Sequence, residues 1–220
     1  MKYLLVASLL LASCAAPPPG RIQGKVQIGA ASEAGKRLSM DSEEDCAKLH
    51  QEPVFEDRNR FAFVYIKTGL EGKKFEPSAA KVVIEQKGCM FLPRVVGAMT
   101  GQTIAVKNSD PVSHSIHPMP KNNREWNQQQ TPGAPDLERK FAQPEFLIPV
   151  KCNIHAWMKA YIAVLPHPHF AALSDGGTFD FGDLPPGDYT LAAWHELHGE
   201  KEVTLKVGTG QTVQNTFRFP

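Results

Sequence analysis

The chain has 220 residues, enough for one large or two small domains with a buried core, and too long for a peptide. Lys plus Arg number 24 against 23 Asp plus Glu, so no excess positive charge is available to hold nucleic acid through its phosphates. The hydrophobic fraction is 42%, and no apolar run beyond residue 13 approaches the roughly 20 residues that cross a bilayer as a helix.

Met1-Lys2-Tyr3 is a short positive start to the apolar run 4–12, whose length suits the hydrophobic region of an export signal. The run Ala15-Ala16-Pro17-Pro18-Pro19-Gly20 predicts a stiff, extended tether. Strand-like runs then dominate, at 22–28, 60–67, 81–86, 103–107, 145–150, 159–165, 177–181, 189–194, 201–207 and 212–219. They are short, rich in β-branched and aromatic residues, and separated by Gly, Pro, Asn and Asp, which predicts an all-β chain folded as a sandwich. A helix of one or two turns is expected at 42–50, capped by Asp41 or Ser42. The polar stretch 118–144 is too long for a hairpin turn and predicts a functional or mobile loop. Pro166-His167-Pro168-His169 ends the strand before it and predicts a domain boundary.

The end of the leader, Leu11-Ala12-Ser13-Cys14, resembles the lipobox of bacterial lipoproteins. That resemblance implies a lipidated Cys14 as the new N-terminus. Residues 1–20 are then signal peptide and tether, and the protein is exported to the periplasm or cell envelope and held on a membrane by its lipid anchor. Cys46, Cys89 and Cys152 remain, in an oxidising setting where paired thiols persist. Three is odd, so one is free, paired between chains, or bound to something, and the surroundings of Cys152 single it out for the last of these. Cys46 and Cys89 are left for a disulfide, although their separation in space is not given by sequence.

The segment Cys152-Asn153-Ile154-His155-Ala156-Trp157-Met158 places a thiolate, an imidazole and a thioether on one short loop between two strand-like runs. These side chains lack one imidazole of the His₂Cys set with weak axial Met that marks blue-copper sites, and His114 supplies it upstream. A strand leading into Asn108-Ser109-Asp110, then His114, then a loop with Cys, His and Met, resembles the order in which cupredoxins present their ligands. The Cys-x-x-His-x-x-Met spacing is similar to the shortest ligand loop of that family, the amicyanin type, as is the His114-Ser115-Ile116-His117 region. The resemblance spans roughly residues 81–165 and implies a cupredoxin Greek-key β-sandwich holding one mononuclear copper ion through His114, Cys152, His155 and Met158. Many cupredoxins carry asparagine directly after the first histidine, where it ties the ligand loops together; here that position is Ser115, which has one side-chain donor. His117 falls on the opposite face of an alternating strand and reads as an exposed histidine. Ala156 and Trp157 are the candidate apolar docking patch, with electrons entering through an exposed edge of His155.

Further on, Asp175-Gly176-Gly177-Thr178-Phe179 followed by Leu184-Pro185-Pro186-Gly187-Asp188-Tyr189-Thr190-Leu191 resembles the carboxypeptidase regulatory-like β-module, related to carbohydrate-binding-like folds. It implies a second small β-sandwich module at 166–220, with a glycan as a candidate ligand. Residues 21–80 either supply its missing strands, with the cupredoxin-like segment inserted, or form a separate N-terminal β segment. His195-Glu196-Leu197-His198 lacks the spacing of a zinc protease and reads as loop, and His167 and His169 read as linker. No hydrolase motif is present, so the expectation is a non-enzymatic copper protein that carries single electrons between a redox protein or dehydrogenase and another partner. The alternative is a copper-binding or glycan-binding surface module without an electron-transfer role.

Overall fold

The structure, a computed structural model, describes residues 17–29, 37–40, 43–50, 52, 54 and 60–220. The leader, Cys14 and the expected helix caps Asp41 and Ser42 lie outside the described residues. Strands β1 (Gly20–Ile28) and β2 (Phe61–Thr68) flank a single turn of helix, α1 (Glu44–Ala47). Nine strands follow: β3 (Val82–Lys87), β4 (Met90–Leu92), β5 (Val95–Met99), β6 (Ile104–Asn108), β7 (His114–Pro118), β8 (Gln128–Gln130), β9 (Leu137–Arg139), β10 (Glu145–Lys151) and β11 (Lys159–Leu165). The chain ends with β12 (Phe170–Ser174), β13 (Gly177–Leu184), β14 (Gly187–His195), β15 (Gly199–Val207) and β16 (Thr212–Phe219). The fold class is all-β.

Four sheets stack. The outer sheet β4-β3-β6-β9 packs on β5-β11-β10-β7-β8, and β12-β2-β14-β15 packs on the outer sheet β13-β1-β16. The two inner sheets also pack on each other. Strand alternation shows why: Ala160, Ile162 and Val164 of β11 enter the first core, while Tyr161, Ala163 and Leu165 face the middle layer. In β2, Ala62, Val64 and Ile66 serve the second core, and Phe61, Phe63 and Tyr65 meet β11 and β5. Runs such as Phe-Ala-Phe-Val-Tyr-Ile are continuously apolar because both faces of the strand are covered. Phe63 stacks on Phe170 with ring centroids 5.8 Å apart, which pins this middle layer.

β1 pairs with β13 and β16, and β2 with β12 and β14, so both N-terminal strands lie in sheets with the C-terminal ones. The chain leaves that pair of sheets after β2 and returns at β12. Three expectations need correction. The stretch 118–144 is anchored rather than a free loop: β8 pairs with β7, β9 pairs with β6, and Gln130 is buried, donating to the carbonyls of Val106 and Pro135. His167 and His169 are more than linker residues, because the bent segment between β11 and β12 turns both inward, to 5% and 8% exposure. His195 is not a loop residue; it ends β14, fully buried and stacked on Phe219, with exposed His198 over it.

Candidate metal centre

Two neighbouring segments build the centre. β7 begins at His114, and the loop after β10 carries residues 152–158; β10 pairs with β7 through Val150↔Pro118 and Lys151↔His117, which sets the two side by side. The turn before β7 is organised by Asn108: its Oδ1 accepts the Asp110 N–H at 3.0 Å, and its Nδ2 donates to the carbonyls of Val112 and Gln130. The Cys152 loop is closed by hydrogen bonds from Cys152 N–H to the Met158 carbonyl and from Met158 N–H to the His155 carbonyl.

His114 Nδ1 and His155 Nδ1 lie 2.9 Å apart, and Cys152 Sγ is 3.9 Å from His155 Nδ1. One of the two nitrogens carries a proton shared along that line, and this is the proton a metal ion would displace. One donor atom from each of His114, Cys152 and His155 falls within a 4.8 Å cluster of buried side chains. Ions held at about 2.0–2.3 Å need donors about 3–4 Å apart, so the set fits one small soft or borderline cation. Met158 is fully buried in the same core as Cys152, and Cys152 is a free thiol.

The clustered donors of His114 and Cys152 have outer partners. Asp110 Oδ2 accepts from His114 Nε2 at 2.8 Å, which fixes the lone pair of His114 on Nδ1, facing the cluster. The same carboxylate accepts the backbone N–H groups of Gly88 and Cys89. Three backbone N–H groups, from Ser115, Ile154 and His155, point at Cys152 Sγ between 3.3 and 3.4 Å. Burial opposes ionisation of this thiol more than any other single influence. The side-chain interaction with His114 and the hydrogen bonds from the three N–H groups nevertheless outweigh it, bringing the thiol down to about 7. The Ser115 hydroxyl accepts the Asn153 N–H at 2.7 Å and reaches Cys152 Sγ at 3.7 Å, so it bridges the two ligand segments.

Cys46 and Cys89 form a disulfide, with α1 carrying one half and the Gly88-Cys89 turn the other. Cys46 Sγ lies 3.5 Å from His155 Nε2. His155 is therefore 3% exposed, which corrects the expectation of an open imidazole edge. Burial, followed by the neighbouring His114, holds its imidazole below the ordinary histidine range. Trp157 packs on His155 with centroids 5.2 Å apart and donates from Nε1 to the Cys89 carbonyl; it is half-buried, whereas Ala156 and Ile154 are exposed. His117 lies outside the donor cluster, bonded to Asn153 and Glu125. The role of Asp110 is readable as a carboxylate four residues before His114. The contact of the disulfide with His155 joins Cys46 to a residue 109 positions away and leaves no local signal.

No protein-family model and no curated protein matches the chain. Similar solved structures include a copper-containing nitrite reductase from Thermus scotoductus, with 20% identity and TM-score 0.37, covering 46% of this chain and a quarter (25%) of that one. A purple cupredoxin from Nitrosopumilus maritimus is 19% identical, with TM-score 0.32, over 39% of this chain and 98% of its own. Amicyanin from Paracoccus versutus is 14% identical, with TM-score 0.35, over 46% and 96%.

Proposed function

We propose that the chain is a mononuclear copper protein of cupredoxin type that carries single electrons, with His114, Cys152, His155 and Met158 as ligands. The observation that carries this reading is the convergence of two imidazole Nδ1 atoms and one free thiol in a buried cluster, with a thioether on the same loop. Copper bound there supplies a one-electron couple. The chain's own residues make that couple fast: a thiolate suits Cu(I), imidazoles suit both valences, and Asp110 and Ser115 hold the donors in place in either state.

The redox partner, a dehydrogenase or small redox protein, docks on Ala156 and Trp157, and Trp157, rather than a bare imidazole edge, is the path to His155. The protein works outside the cytoplasm, tethered to a membrane through lipidated Cys14, where the Cys46–Cys89 bridge persists. Visible and EPR spectra of the copper-loaded protein test the reading. An intense thiolate-to-Cu(II) band that bleaches on reduction and disappears in Cys152→Ala supports it. Colourless copper binding, or a band that survives Cys152→Ala, overturns it.

A further inference from the structure

Pro166-His167-Pro168-His169 bends between β11 and β12, and the Phe170 N–H bonds back to the Pro168 carbonyl at 3.0 Å. The prolines face out and the two histidines face in, more than nine-tenths buried. His167 Nε2 lies 2.9 Å from the Ile66 carbonyl, an acceptor only, so Nε2 carries the proton and Nδ1 carries a lone pair. That Nδ1 has no hydrogen-bond partner among the described residues, and neither has Nε2 of His169. A buried polar atom left unpaired costs about 1–3 kcal/mol, and here two sit on adjacent rings.

The ring centroids of His167 and His169 are 6.0 Å apart. Nitrogens bonded to one ion at about 2.0 Å place two imidazole centroids at most about 6.3 Å apart, and the separation of these rings is within that reach. Phe75 presents its edge to both rings, at 6.3 and 5.5 Å, and Phe181 stands 6.3 Å from His169. The Glu71 carboxylate is engaged by the Gly69 N–H, and Asp183 is exposed, so neither is a buried anion available to neutralise a divalent charge.

We propose that His167 Nδ1 and His169 Nε2 form a second metal site, a two-nitrogen seat for monovalent copper. Two neutral imidazoles in an aromatic enclosure match a soft, singly charged ion that accepts low coordination. The whole of β11 separates this seat from Met158, about 23 Å of extended chain, so it does not depend on the Cys152 centre.

The test is anaerobic titration of the full chain with Cu(I) against a chromophoric Cu(I) chelator. His167→Gln and His169→Gln are each expected to lose one equivalent relative to the parent, its affinity falling by more than about 100-fold, beyond the loss of an outer partner. Cys152→Ala retains that equivalent, which separates this site from the proposed electron-transfer centre. A titration of either glutamine variant that superimposes on the parent overturns the site. Should the variants fail to fold, Ag(I) added to the ¹⁵N-labelled parent gives the same decision. Shifts at His167 Nδ1 and His169 Nε2 support the site, and unchanged resonances overturn it.

Discussion

Asp110 has three donors on one carboxylate, His114 Nε2 and the N–H groups of Gly88 and Cys89, so it fixes His114 and the disulfide turn together. Asp110→Ala is expected to weaken copper binding by about 10–100-fold while leaving the four proposed ligands intact, a difference that competition titration measures. Met158→Leu keeps copper and raises its reduction potential in cyclic voltammetry, because a weak sulfur donor is removed and nothing replaces it. His117→Ala leaves the colour unchanged, since that ring is bonded to Asn153 and Glu125 outside the donor cluster. The approach of His114, Cys152 and His155 was legible because it depends on residue type and short spacing. The cover over His155 was not, because Cys46 reaches it only through the fold.

At the scale of elements, the longer strands were readable from alternation and β-branched content, but six were not, among them β7, five residues with two histidines and a proline. β4 and β12 are short, β5 holds Gly97, and β8 and β9 are polar segments paired at sheet edges. The packing of one inner sheet on the other was invisible for a different reason. A run such as 160–165 is apolar whether its second face meets a partner sheet or the interior of one large sandwich. That middle layer also contains an ion pair that sequence could not place: Arg94, ahead of β5, grips Glu196, after β14, through two bonds of 2.7 and 2.8 Å. Both side chains are under a tenth exposed, and Tyr161 adds a hydroxyl to Glu196. Glu196→Ala leaves the guanidinium buried without its counter-charge and is expected to cost about 3–5 kcal/mol in urea unfolding. Glu196→Leu with Arg94→Met, apolar in place of the pair, is expected to recover most of that loss.

Across the whole molecule, the shared aromatic layer packs the two inner sheets together, and acid stability is set in part by histidines the fold keeps neutral. Burial, followed by the neighbouring His169, lowers His167 from 6.5 to about 4, and burial lowers His169 as well. Glu71 on one side and Asp183 on the other act against these shifts without cancelling them. The unfolded chain therefore takes up protons at these positions before the folded one does, so stability is full above the ordinary histidine value. It falls as pH drops from 6.5 towards about 4, by at most about 1.4 kcal/mol per pH unit for each proton. Melting temperatures of the metal-free protein are expected to decline through that window, ahead of carboxylate titration. His167→Gln flattens the decline, leaving the parts due to His169 and His155, whose imidazoles are also lowered by burial. An ion seated between His167 and His169 binds the neutral rings alone, so Cu(I) should raise the melting temperature most at neutral pH and lose that effect as protons compete for the same nitrogens. A melting curve independent of pH between 7 and 4 in the metal-free parent would show that these rings are charged in the fold, against the burial seen here.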